Sequence, residues 1–224
     1  MPPSDPSRQE AVGPAFSMPA MIRARDRTFE AVRAIAEAIR PGMNEVEARD
    51  LAERILTGMG MDRLWHKTIV RFGENTLHTF GALIDADRVL GDNDIFFVDL
   101  GVVWDGHEGD AGDTFVVGDA PAMAACAQAA RTLWAEVAAR WREDGVTGQA
   151  LYRFAQDRAA EAGWRLNWEV KGHRVSDFPH AIYKAGDLGD LDKPPATGLW
   201  VLEIQISHPT LPFGAFYEDL LYAA

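Results

Sequence analysis

Apolar and polar positions follow two rhythms along this chain. From about Pro19 to Arg40, MIRARDRTFEAVRAIAEAIR has the apolar spacing of an amphipathic helix. Pro41 and Gly42 end that helix, and NEVEARDLAERILTG predicts a second. Asn44 sits where an N-cap is needed, Glu47 completes a capping-box pattern, and Gly58 and Gly60 close the segment. Two more helices are predicted at about 121–142 and 147–162. The second of these, in VTGQALYRFAQDRAAEAG, carries both a cap and a C-terminal glycine. The other rhythm is that of strands. TIVRFG (68–73) alternates, DIFFVDLGVV (94–103) is nearly all apolar, and DTFVV (113–117) follows a glycine-rich turn. GLWVLEIQIS (198–207) and FGAFYEDLLYA (213–223) complete the set. Residues 1–16, rich in Pro, Ser and Gly, read as a flexible tail. No linker divides residues 17–224, which predict one α+β domain with helices covering one side of a central sheet.

The strands contain an anomaly. In DIFFVDLGVV both alternating faces are apolar, so the strand should be buried on both sides, yet Asp99 lies within it. Glu203 interrupts LWVLEIQI and Glu218 interrupts FGAFYEDLLY in the same way. An unpaired carboxylate at such a position costs several kcal/mol or stays protonated. Two compensations are open. Arg71, Lys171 or Arg174 would pair with the acids as buried salt bridges, or the acids converge on metal ions. The second accounts for several acids at once, and oxygen ligands joined by imidazole suit a divalent first-row metal.

The chain has six histidines, and they are the candidate imidazoles. His173 and His180 stand close together in KGHRVSDFPH, His78 lies in ENTLHTFG, and His66, His107 and His208 remain. His107 and Glu108 are expected to be exposed in a hairpin turn. Trp134, Trp141, Tyr152 and Phe154 have the spacing of helix packing residues.

Composition narrows the class. The apolar share of 47% and charged share of 25% are those of a globular protein. A net charge of −12 makes nucleic acid and anionic membranes poor partners. The single cysteine, Cys126, lies in an Ala-rich helical pattern and reads as a buried structural thiol. The N-terminus lacks a basic-then-apolar signal pattern, and no apolar run reaches the length of a membrane span. The expected location is cytoplasmic.

The order Asp99, Asp110, His173, Glu203, Glu218 resembles the five-ligand metal centre of the M24-type "pita-bread" metallopeptidases, which include methionine aminopeptidase, aminopeptidase P and prolidase. VDLGVVWDGHEGDAGDTFVVGD resembles that family's two-Asp hairpin. RPGMNEVEA resembles the junction of its first two helices, ENTLHTFG its substrate-side histidine loop, and FYEDLL the strand of its last glutamate. The likeness runs from about residue 20 to the C-terminus, without the N-terminal domain of prolidase, aminopeptidase P and creatinase.

The resemblance implies a curved antiparallel sheet with helices on its outer face and two divalent ions, Mn, Co, Fe or Zn. Asp99 would chelate one ion and Asp110 would bridge both. His173 and Glu203 would bind the second, and Glu218 would bridge again. His78 and His180 would face the substrate, and Glu203 would also shuttle a proton. The implied activity is hydrolysis of small peptides by a hydroxide between the ions, as an aminopeptidase or Xaa-Pro-type dipeptidase. A hydrolase or lyase of a non-peptide compound, or a non-catalytic binding relative, would use the same fold. A homodimer is left open.

The chain also departs from the family pattern. Arg174 follows His173 where Gly is common, and would either meet the substrate or lie on the surface. Glu169 stands where Xaa-Pro-cleaving members carry another histidine. Ile204 and Gln205 follow Glu203 where Pro is common, and the stretch from Glu203 to Glu218 is short.

Overall fold

A computed structural model describes residues 9–78, 81–82, 87–180 and 185–223. ALIDADRVLGDND (82–94), whose sequence reads as a turn-rich acidic loop, falls partly outside them, at 83–86.

Helix α1 (Met18–Ala38) and helix α2 (Glu45–Gly58) form where the apolar spacing places them. The capping box is present as expected: the Asn44 side chain accepts from the Glu47 amide at 2.9 Å, and Glu47 accepts from the Asn44 amide at 3.0 Å. The short strands β1 (Arg63–Leu64) and β2 (Ile69–Phe72) lead to the hairpin of β3 (Asp94–Trp104) and β4 (His107–Val117). Helices α3 (Pro121–Asp144) and α4 (Gly148–Glu161) follow. The two-residue strands β5 (Arg165–Leu166) and β6 (His173–Arg174) precede the closing hairpin of β7 (Trp200–Ser207) and β8 (Gly214–Leu220).

All pairings are antiparallel. The strands form one sheet in the order β1-β3-β4-β8-β7-β5, with β2 also on β3 and β6 also on β7. Side chains alternate across each strand, so each strand divides its residues between two environments. On one face Phe96, Val98, Leu100, Val102 and Trp104 pack with Ala31, Val32, Ile35 and Leu56 of α1 and α2. On the same side Trp200, Leu202, Ile204 and Ile206 pack with Val137, Leu151 and Tyr152 of α3 and α4. The opposite face carries the small cluster of Ile69, Phe97 and Phe216. The helices therefore cover one side, as the patterning requires.

Two local expectations need correction. Residues 107–112 are not a turn, because β4 already begins at His107 and pairs along its whole length with β3. His107 and Glu108 are accordingly buried, at 4% and 1% exposure. The reason is that Asp105 and Gly106, both at positive φ, close the hairpin in two residues. The described part of the N-terminal segment is also tied down. Arg174 donates to the carbonyls of Gln9 and Ala11, and the Asp177 carboxylate accepts from the Gly13 and Ala15 amides. Glu10 bonds Lys193 and the Trp200 indole.

Candidate metal centre

The face away from the helices gathers the acids. Asp99 lies directly opposite Gly112 on β4, Gly112 is the partner of Glu218 on β8, and Glu218 lies opposite Glu203 on β7. Asp99, Glu218 and Glu203 therefore form a row across the sheet, with glycine at the one remaining place. A Cβ at Gly112 would stand 2.9 Å from Glu218 Oε1 and 2.6 Å from the Phe216 ring, so the glycine leaves room for the acids on either side. Asp110, opposite Gly101, adds a second level to the row. On β6, His173 pairs with Val201, two residues before Glu203, and so joins the same face.

The side chains converge. His173 Nε2 is 2.8 Å from Asp110 Oδ2 and 3.8 Å from Glu203 Oε1. Glu203 Oε2 accepts from the Gly172 amide at 2.7 Å. The Tyr152 hydroxyl, reaching through from α4, donates to the Glu203 carbonyl at 2.9 Å. Two groups of donor atoms arise, His66 with Asp99 and Asp110, and Asp110 with His173 and Glu218. Within each group the atoms lie within 4.8 Å of one another, and Asp110 belongs to both.

The salt-bridge alternative does not hold. Arg71 pairs with Glu45 at 3.6 Å and Lys171 with Asp190 at 3.0 Å. Arg174 is buried and turned toward backbone carbonyls, so it neither meets a substrate nor lies on the surface. Among the described residues the ion-pair partners of Asp99, Asp110 and Glu203 within 4 Å are histidines, Arg71 acts on Asp99 only from farther off, and Glu218 Oε1 is buried without a hydrogen-bond partner.

The electrostatics follow. Burial, then Asp110, Asp99 and Glu203, push the Glu218 carboxyl well above its ordinary value. Burial also raises Glu203, and it raises Asp99 to about 7 against the pull of His66. Burial would raise Asp110 too, but His173 and His66 hold it at about 2. Burial lowers the two imidazoles, yet Asp110 and Glu203 bring His173 to about 10, and Asp99 and Asp110 bring His66 to about 9. The two groups bring together Asp99, Asp110, Glu218, His66 and His173. Glu203 belongs to neither, though its Oε1 lies 3.8 Å from His173 Nε2. These carboxylates and imidazoles, with a buried oxygen lacking a partner, match the donor set of divalent first-row metals.

A cavity of about 140 Å³ opens beside this cluster. Asp99 and Glu203 form its polar floor, Ile69, Phe97 and Phe216 its apolar wall, and His78 an exposed edge. Gln205 holds the histidine loop by donating to the Thr76 carbonyl at 2.9 Å and the His78 carbonyl at 3.3 Å. His180 Nδ1 is 2.8 Å from Glu108 Oε1. The Trp65 ring packs edge-on against His66, His173 and His180, with centroids at 4.5, 5.4 and 5.6 Å.

Two residues of this constellation escape sequence reasoning. His66 had no assigned role, and Glu108 was expected at the surface. A signal for His66 exists only once β2 is paired with β3: Ile69 lies opposite Asp99, so the residues just before Ile69 must pass close to the acids.

Comparison with known proteins shows the fold and the family. No curated protein matches the sequence closely enough to count. Among solved structures, the X-Pro aminopeptidase of Thermotoga maritima superposes with TM-score 0.74 and 18% identity, covering 98% of this chain and 64% of its own. The prolidase of Pyrococcus horikoshii OT3 gives TM-score 0.73 and 20% identity, with 96% and 60% covered. Methionine aminopeptidase of Thermotoga maritima gives TM-score 0.66 and 18% identity, with 96% and 92% covered. The chain thus spans less than two thirds of the first two proteins and nearly all of the third, and the shared architecture is the pita-bread fold. The family model described as "Metallopeptidase family M24" matches residues 19–219, and the chain belongs to that family.

Proposed function

We propose that this protein is a metal-dependent aminopeptidase or Xaa-Pro-type dipeptidase acting on small peptides. The observation that carries the reading is the row of Asp99, Glu218 and Glu203 with Asp110 and His173 on one sheet face, where no Lys or Arg among the described residues pairs with them. Asp99, Asp110, His173, Glu203 and Glu218 would hold two divalent ions; Asp110 is common to both donor groups, and Glu203 would join through its place beside His173. When bound, such ions supply a Lewis acid and a water acidified to act as nucleophile near neutral pH.

The chain's own groups supply the rest. Strands fix the acids, so the ligands are preorganised rather than gathered from loops. The apolar wall of Ile69, Phe97 and Phe216 receives a small side chain and excludes water from one side of the scissile bond. His78, at the cavity edge, contacts the substrate amide. With Nδ1 2.8 Å from the Glu108 carboxylate, the His180 ring would present Nε2 to the substrate, there to stabilise the tetrahedral oxyanion. Glu203 lies at the cavity floor and is oriented by the Gly172 amide, in place to pass a proton to the leaving amine.

A non-catalytic relative would have little use for a full set of ligands. Hydrolysis or lysis of a non-peptide compound remains the competing chemistry, since one fold hosts many reactions. The test is turnover of dipeptides, Xaa-Pro peptides and Met-starting peptides by protein reconstituted with Mn, Co, Fe or Zn. Peptide cleavage that disappears in Asp110→Ala together with bound metal supports the reading. Full metal content and turnover in that variant would reject it.

A further inference from the structure

We infer that His66 is an additional protein ligand of this centre, giving Nε2 to the ion held by Asp99 and Asp110. The inference rests on the reading of the site as a metal centre and extends it beyond the five residues of the family motif.

His66 Nδ1 lies 2.8 Å from the Lys67 carbonyl. A carbonyl only accepts, so Nδ1 carries the hydrogen and a neutral ring keeps its lone pair on Nε2. Backbone carbonyls commonly fix metal-binding histidines in this way. Nε2 lies 3.5 Å from Asp99 Oδ1 and 3.5 Å from Asp110 Oδ1. Both distances are longer than a charge-assisted hydrogen bond. Two donors each about 2.1 Å from one ion, at a tetrahedral angle, stand about 3.4 Å apart. The spacing is thus that of ligands sharing a cation.

The surroundings are shaped for the ring. A Cβ at Gly101 would sit 1.9 Å from His66 Cδ2 and 2.3 Å from Nε2, so only glycine at that strand position admits the imidazole. Trp65 fixes the preceding residue: its amide donates to the Gly101 carbonyl at 3.0 Å and its indole to the Gly109 carbonyl at 3.2 Å. Its ring stands at 89° to the His66 ring. Asp99 and Asp110 with His66 give that ion a more nitrogen-rich environment than two carboxylates alone, which favours Zn, Co or Fe over Mg or Mn.

The test counts imidazoles and measures binding without assaying turnover. Metal-free wild type, His66→Ala, His66→Gln and His173→Ala are titrated with Zn by calorimetry. Mn-loaded samples are read by pulsed EPR for coupled ring nitrogens. The expected result is two coupled imidazoles in wild type, and one in each of His66→Ala, His66→Gln and His173→Ala. Affinity for one ion should fall about tenfold or more in both His66 variants. A single imidazole in wild type that persists in His66→Ala, with unchanged affinity, overturns the inference while leaving the metal centre standing. A wild type that takes up no divalent ion overturns both.

Discussion

Glu203 and Glu218 are cross-strand partners on the β7–β8 ladder, two acids facing each other on a buried sheet face. Like charges directly opposite destabilise an antiparallel pair. Here Glu218 is 1% exposed, and Gly112 places Asp99 on its other side. Such an arrangement withstands folding only with protons or cations among the carboxylates. Without metal, burial and the neighbouring Asp110, Asp99 and Glu203 push the Glu218 carboxyl well above the ordinary range, which favours a proton there.

Metal uptake should therefore release protons. Asp99 titrates at about 7, His66 at about 9 and His173 at about 10, so both imidazoles and part of the Asp99 population hold protons at neutral pH. These must leave before the groups can ligate, and affinity should rise with pH from 6 to 8. The sign for the metal-free fold is the reverse. Histidines raised from 6.5 contribute stability that is full below 6.5 and lost as pH rises through about 9 to 10. Calorimetric titration with Zn in buffers of different ionisation enthalpy measures the protons released. An uptake that releases none would sink this account.

Glu218→Gln should separate the two states. Burial and the neighbouring carboxylates push Glu218 toward its neutral form in the metal-free protein, so the neutral Gln side chain should change the melting temperature little. In wild type, a free ion at a hundred times its Kd should add about 2.7 kcal/mol. The variant should lose most of that gain. Thermal melts with and without metal decide it, and an undiminished metal-induced rise in the variant would count against Glu218 as a ligand.

Asp219, the neighbour of Glu218, points to the other face and is held by both Arg25 Nε and Nη2 from α1. The Asp219 side chain is 4% exposed and that of Arg25 28%. Removing one partner of such a pair leaves a buried charge, so Arg25→Ala should cost about 3 kcal/mol. Urea unfolding measures the loss. A double replacement by apolar residues should recover part of it, and a single-variant loss below about 1 kcal/mol would show the pair to be incidental.

Cys126 should be inert in the native state. It is fully buried in the α3–α4 core, and burial pushes its thiol to about 12. Thiolate is the reactive form, so a thiol reagent at pH 8 should label it only after urea unfolding. Stoichiometric labelling of folded protein within minutes would contradict the packing.

The sequence alone determined the features whose causes are local. Helical spacing and the Asn44–Glu47 box sufficed for α1 and α2, because a helix closes its hydrogen bonds within a few residues. Acids in otherwise apolar strands announced a buried charged site, because strand patterning exposes any residue out of place. Tertiary structure alone decided how those acids meet. The Asp99–Gly112–Glu218–Glu203 row depends on the register of three strand pairings between distant segments. Arg174 turned to the N-terminal segment, and Glu108 and His107 went inside, because of partners far away in sequence. His66 reached the acids because β2 pairs with β3 and Gly101 leaves space for its ring. Pairing register and close approach are non-local, and no local pattern encodes them.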